Sequence, residues 1–245
     1  MSGKSSETSG VRYRRYSFRF KETITTILAR DDRDYRNAVR GMLYARGEIE
    51  KFIANDPLFL TTLEPYECDE EVVGRMCHAS KIAGVGPMAA VAATIAWFGV
   101  EFADADFIVI DNGGDIVARI DEPITVGIYC GRRKSIGFEI GECEIKSICT
   151  SSGKIGHSIS FGFADAATII SENPSIADAL ATALGNMIGE DFKKRDIERV
   201  LEEFWRNYRK YIECAIVIKD DVFAFVGDLP EIKRVEINPD IITRG

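Results

Sequence analysis

Nineteen consecutive residues, Ile82 to Val100, carry no charged side chain, and no other stretch constrains the fold as strongly. That length is close to the roughly 18 apolar residues at which a membrane-spanning helix becomes a candidate. The composition argues against a span. The run is mostly Ala and Gly, which gain little on entering lipid, and Gly84, Gly86 and Pro87 interrupt it where a helix would have to continue. The sequence therefore predicts a glycine loop followed by a buried helix from about Met88 to Phe98. Pro87 suits the first helical position, where its missing N–H costs nothing.

A buried helix requires a sizeable core. The chain has 245 residues, 46% hydrophobic and 29% charged, which is ample for a folded chain and excludes disorder. Residues 1–10 are polar and Ser-rich and read as a flexible tail, with a single domain expected over 11–245. No secretory pattern follows the N-terminus, so a cytoplasmic location is expected, with no membrane partner. The net charge of −8 argues against a nucleic-acid partner, which calls for a basic face. The basic residues Arg12, Arg14, Arg15, Arg19 and Lys21 alternate with aromatic ones and read as the solvated face of a strand. None of the six cysteines forms a CxxC pair, so they are expected to be reduced and mostly in the core.

Periodicity gives the remaining elements. Residues 11–30 read as two strands around a turn near Lys21 and Glu22. Helical spacing marks Asp31 to Phe52, Cys68 to Ser80, Ile176 to Met187 and Asp191 to Tyr211. Strands are expected at 107–110, 116–120, 124–130, 134–140, 144–149, 214–218 and 222–226. Residues 164–171 fit either a strand or a short helix. A helix-then-hairpin pattern at 88–120 returns at 176–226, where "IVIDNGGDIVA" and "AIVIKDDVFAF" occupy similar places, and suggests a pseudo-repeat. Hairpin-linked strands with segregated helices define an α+β fold with mostly antiparallel sheet.

Four polar segments could carry chemistry. Lys81 to Ala89 places glycines before a helix N-terminus, which is either a plain turn or an anion site. Asp111-Asn112-Gly113-Gly114-Asp115 is either a hairpin turn or a ligand-contacting backbone. Thr150-Ser151-Ser152-Gly153-Lys154, followed by His157 and Ser158, combines hydroxyls, amides and a lysine suited to phosphate, with a histidine available as a base. Asp178 and Thr182, four residues apart, share one face of a helix. They would suit a hard cation such as Mg²⁺ held with substrate phosphates, or Asp178 would simply complement its own helix dipole.

In order along the chain, "GVGPMA", "IDNGGDI", "TSSGKIGHS" and "ADALATAL" resemble the ApbE family, the flavin transferases that attach FMN from FAD to a threonine of a target protein. The match spans about residues 81–188 and is nearest to the short, poorly characterised prokaryotic branch. The resemblance implies a T-fold-like α+β core. It implies Mg²⁺ on Asp178 and Thr182 with a backbone carbonyl near Val85 or Gly86, and FAD lined by Lys81, Gly84 and Gly86. It sets Asn112, Gly113, Gly114 and Asp115 beside the ligand, with Thr150, Ser151 and Ser152 in contact with it. His157 would stand next to the reaction centre. The implied partners are a small phosphorylated ligand and a protein acceptor. The alternative is a non-transferase of the same fold, an accessory or ligand-binding protein in redox, cofactor or sulfur metabolism, with Cys149 as the thiol to test. The mixed-sign helix 191–211 could serve an interaction protein, and a homo-oligomer is compatible with so many strands.

Overall fold

Alternating hydrophobic residues and tight turns build the framework, seen in a computed structural model that describes residues 13–128, 135–153 and 162–235. Strands β1 (Arg14–Phe20) and β2 (Thr23–Ala29) form the first hairpin, with Lys21 at the turn in the left-handed region. Every second residue of β2 is buried, which sets one face toward the core. Helix α1 (Asp32–Asn55) follows, its N-terminus capped by the Asp31 side chain, which accepts from the amides of Arg33 and Asp34. A short helix α2 (Leu58–Thr61) and helix α3 (Glu71–Ala83) lead to the uncharged stretch.

That stretch does not form one helix. Gly84 ends α3 in the left-handed conformation, a 3₁₀ turn occupies Pro87–Ala90, and α4 (Val91–Ala103) sets off at 107° to α3. Among the described residues no single helix is long and apolar enough to cross a membrane, although this bent pair passes such a test by length and composition. Most of α4 is buried, as the Ala-rich composition leads one to expect.

Strands β3 (Ile108–Asn112) and β4 (Asp115–Ile120) form the second hairpin. After β5 (Ile124–Ile128) and β6 (Ser135–Ile140) the chain returns through β7 (Cys143–Ser151) and β8 (Ala166–Ser171), then helices α5 (Pro174–Asn186) and α6 (Lys194–Tyr208). The hairpin β9 (Cys214–Lys219) and β10 (Val222–Gly227) and a short strand β11 (Ile232–Val235) complete the described chain. One eight-stranded sheet runs in the order β1-β2-β3-β4-β7-β8-β9-β10, all neighbours antiparallel. The helices cover one face of it. The three-stranded sheet β11-β6-β5 covers the other, where Val126, Phe138 and Ile140 pack on Val109, Ile148 and Ile216.

The expected α+β class and antiparallel sheet are therefore present. The repeat is larger than its sequence trace. Each half reads hairpin, helices, hairpin, with sheet order β1-β2-β3-β4 in one and β7-β8-β9-β10 in the other. Of residues 164–171, Ala166–Ser171 form a strand. The sequence missed α2 and β11, both only four residues long and too short for a periodic signal. One expectation is corrected: Cys68 and Cys77 are joined in a disulfide, nine residues apart. Such a pairing cannot be read from cysteine spacing alone. Cys149 and Cys214 are buried and Cys143 half-buried, all three as free thiols, while Cys130 lies outside the described residues.

Candidate functional site

The alternation of strand residues decides which polar groups meet. On the helix-covered face of the sheet, β3 ends in Asn112 and β4 begins with Asp115, and the two pair directly across the hairpin. Gly113 and Gly114 form its tip, both with positive φ (72° and 106°). The tip is held further by the Asp111 carboxylate, which accepts from the Gly114 amide at 2.9 Å. Next in the sheet, β7 brings Cys149 and Ser151 to the same face. Thr150 and Ser151 are thus strand residues. A Ser/Gly-rich composition hid this, because it reads as loop.

Helix α5 lies above β7 and β8, beside α4 on β3 and β4, with all but two of its thirteen residues buried, Asp178 among them. The Asp178 carboxylate accepts from the backbone amide of Ala93 at 3.0 Å. Ala93 is in the first turn of α4, where amides have no partner within the helix. Asp178 therefore complements a helix dipole, but that of α4 rather than its own. Asn112 reaches the same turn, donating from Nδ2 to the carbonyl of Ala92 at 2.9 Å. Deeper between the helices, Thr94 and Ser175 hydroxyls pair at 2.7 Å.

The electrostatics follow from burial. Asp115 and Asp178 are only 9% and 8% exposed. Desolvation pushes the Asp115 carboxyl up to about 7, reinforced by the charge of Asp111, although the Thr150 amide and the Cys149 thiol act in the opposite direction. The Thr150 amide donates to Asp115 at 3.1 Å. Asp178 is raised well above the usual carboxylate range, by burial first and by the charge of Asp115 second, against the stabilising amides of Ala93 and Ala92. Burial and the same two carboxylates hold the Cys149 thiol firmly protonated. Two acids and a neutral thiol thus share one buried corner.

Two hydroxyls nearby are buried without a hydrogen-bond partner among the described residues, Ser151 and Thr25. Ser151 extends the Cys149 face of β7, and Thr25 pairs directly with Asn112 across β2 and β3. Both hydroxyls lie at the ends of their strands nearest the Gly113–Gly114 tip, and an orphaned buried hydroxyl costs about 1–3 kcal/mol.

The other expected residues fall as follows. Gly84 caps α3, and Gly86 carries the Thr62 carbonyl so close that a Cβ there would lie 2.0 Å from the oxygen. The carbonyls of Val85 and Gly86 already accept from the Ser80 hydroxyl and the Ala89 amide. Lys81 is exposed and paired with Glu67 at 2.7 Å, not with the buried acids. The Thr150 hydroxyl meets that of Thr168 at 2.9 Å on the opposite face of the sheet from Ser151, so its backbone rather than its side chain serves the corner. Ser152 follows β7, and Thr182 lies half-buried one turn beyond Asp178. His157, Lys154 and Ser158 lie outside the described residues. Sequence reasoning missed Thr25 and Thr94. A threonine at a buried position of an alternating strand, and a lone hydroxyl in an uncharged run, were the signals available.

The sheet of two hairpin–helix–hairpin halves has counterparts among solved ApbE structures. Two solved structures share it. The flavinyl transferase ApbE from Pseudomonas stutzeri aligns with a TM-score of 0.56 at 10% identity, over 95% of this chain and 97% of its own. The ApbE protein from Thermotoga maritima aligns at 0.53 and 14% identity, over 95% and 100%. The chain belongs to the family described as AbpE bacteria, whose model matches residues 8–205. It is 50% identical to a UPF0280 protein of Archaeoglobus fulgidus over 95% of this chain and all of that one. It is 48% identical to a UPF0280 protein of Methanosphaerula palustris over 94% and 98%.

Proposed function

We propose that this chain binds FAD, or a related phosphorylated ligand, with Mg²⁺ at the buried corner, and passes FMN from FAD to a threonine hydroxyl of an acceptor protein. The observation that carries the reading is the pair of buried carboxylates, Asp115 and Asp178, each held above its ordinary pKa. Two acids that resist ionising together exchange a proton for a cation readily.

The residues present fit that cation. Among the described residues no three His, Cys, Asp or Glu side chains gather as a metal cage. Mg²⁺ takes one or two carboxylates plus substrate phosphates and water, and Asp115 and Asp178 are two buried carboxylates in one corner. Asp178 would hold it, with the Thr182 hydroxyl one turn away; a carboxylate has about four acceptor sites, so the α4 amides leave capacity. When bound, Mg²⁺ would offset the negative charge of a pyrophosphate and favour its cleavage. The orphaned Ser151 hydroxyl supplies a donor for a phosphate oxygen, and the Gly113–Gly114 tip leaves backbone accessible beside it. In the transfer itself the threonine oxygen bonds to the FMN phosphorus, the bond to the AMP leaving group breaks, and the threonine proton passes to a base. The resemblance assigns that base to His157.

The deciding experiment is a titration of the demetallated protein with FAD, with and without Mg²⁺. Saturable binding that requires Mg²⁺ is expected, and Asp178→Ala should abolish it. Absence of binding at high micromolar FAD would overturn the reading. A second reading, binding without transfer, is favoured by one observation: Asp178 already serves α4 as a capping acceptor, a task that needs no catalysis. Incubation with FAD, Mg²⁺ and a threonine peptide separates the two, since only a transferase releases AMP and leaves flavin on the peptide.

A further inference from the structure

The eight-stranded sheet ends in two edges of opposite character. At β1 the edge carries Arg14, Arg15 and Arg19, charges that discourage another strand from pairing. At β10 the sequence Val222-Phe223-Ala224-Phe225-Val226-Gly227 has no charge and no proline. Natural sheets guard such an edge unless it is used.

The register shows what the edge offers. Hairpin β9–β10 turns through two residues, Asp220 and Asp221, with Lys219 opposite Val222. In a two-residue hairpin the pair next to the turn exchanges both hydrogen bonds, and these alternate along the ladder. Val222, Ala224 and Val226 therefore bond inward to β9, and the backbone N–H and C=O of Phe223 and Phe225 point outward. Their side chains lie on the face covered by the small sheet. Phe223 is packed there, while Phe225 is 46% exposed, its ring 6.1 Å from that of Phe223.

We propose that β10 pairs antiparallel with β10 of a second copy of this chain, about a twofold axis at Ala224. The outward backbone groups call for an extended strand, and this strand is its own complement. Placing Phe223 opposite Phe225 of the second copy, and the reverse, pairs the outward N–H and C=O of both phenylalanines in each copy. The same register sets the aromatic rings directly across from one another, the favoured cross-strand arrangement, and covers both Phe225 side chains. The result is a continuous sixteen-stranded sheet with the β1 edges at its outer ends. The pairing is independent of the buried acids, Asp115 on β4 and Asp178 on α5.

Sedimentation velocity of the full chain tests this. The wild type should move from 27.2 kDa toward twice that mass as concentration rises through the micromolar range. Phe225→Lys, a change at a largely exposed side chain, should weaken association at least tenfold while the melting temperature of the monomer holds. Phe225→Thr, which keeps a strand-forming residue, should weaken it less. Amide hydrogen exchange adds a direct readout: the Phe223 and Phe225 amides should be protected in the wild type and exchange freely in Phe225→Lys. A wild type that stays at 27.2 kDa at the highest concentrations overturns the proposal, as does a dimer that survives Phe225→Lys with the Phe225 amide unprotected.

Discussion

Hairpins β3–β4 and β9–β10 occupy the same place in the two halves of the sheet, and they put it to different use. In the first, the pair flanking the turn is Asn112 and Asp115, both buried, facing the start of α4 and the side of α5. In the second it is Lys219 and Val222, and Lys219 turns to the neighbouring Asp220 carboxylate at 3.2 Å. The first tip is Gly113–Gly114 and the second Asp220–Asp221. Similar backbone paths thus bury a carboxylate and an amide at one tip and a lysine, paired with its own turn, at the other. The fold supplies the position, and the residues at the turn decide whether chemistry follows.

The largest expected effect that breaks this parallel is at Asp115. Asp115→Ala should lower Mg²⁺-dependent FAD affinity by about 100-fold or more, at the upper end for partners that orient a metal site. Lys219→Ala, its counterpart's neighbour in the other half, should leave the titration unchanged. A comparable loss in both variants would mean that general unfolding, not the site, is being measured.

The next effect is on pH. Asp115 holds its proton up to about 7 in the folded chain, well above its ordinary 3.8. The folded state then binds more protons than the unfolded state between those values, so its stability is greatest below the unfolded pKa and falls as pH rises through about 7. Chemical denaturation of the metal-free wild type should show that fall, at most about 1.4 kcal/mol per pH unit for a single proton. Asp115→Asn should flatten it, and Mg²⁺ with FAD should offset it by binding the ionised form.

Smaller effects sharpen the contrast at the tips. Gly114 has φ of 106° and open space where a Cβ would go, so Gly114→Ala carries only the backbone penalty, about 1–2 kcal/mol by thermal melting. Asp220 also has positive φ, 53°, but its amide donates to the Asp165 carboxylate at 2.7 Å. Asp220→Gly should therefore change stability by less than about 1 kcal/mol, relief of strain being set against a more flexible unfolded chain. Smallest of all is Glu22→Gln, which removes an ion pair between Arg46 and the exposed Glu22. Arg46 keeps its bonds to Glu50 and the Thr23 hydroxyl, so the expected cost is under about 1 kcal/mol.

Much of this is legible in the sequence. The start of α1 near Asp31, the break at Gly84 and Pro87 and the turn at Gly113–Gly114 are local, and local chemistry writes them into neighbouring residues. The partner of Asp178 was not legible. Ala93 lies 85 residues away, and a first-turn aspartate in a helix pattern points to its own dipole rather than to another helix. Ser151 looks like loop in the sequence because hydroxyl and glycine composition masks the end of the strand it closes. The Cys68–Cys77 bond was misjudged because spacing carries no information on which sulfur atoms approach.

The bond from Ala93 to Asp178 crosses from the first half of the chain to the second. Neither half alone holds both the helix end and the acid that answers it. A ligand that engages Asp178 thus reports on the joining of the halves, and anything that loosens the seam between β4 and β7 should dim recognition before it unravels either half. The molecule is two similar leaves sewn along one seam, where the Ala93–Asp178 bond is joined by the Thr94–Ser175 pair and the Thr150–Asp115 bond.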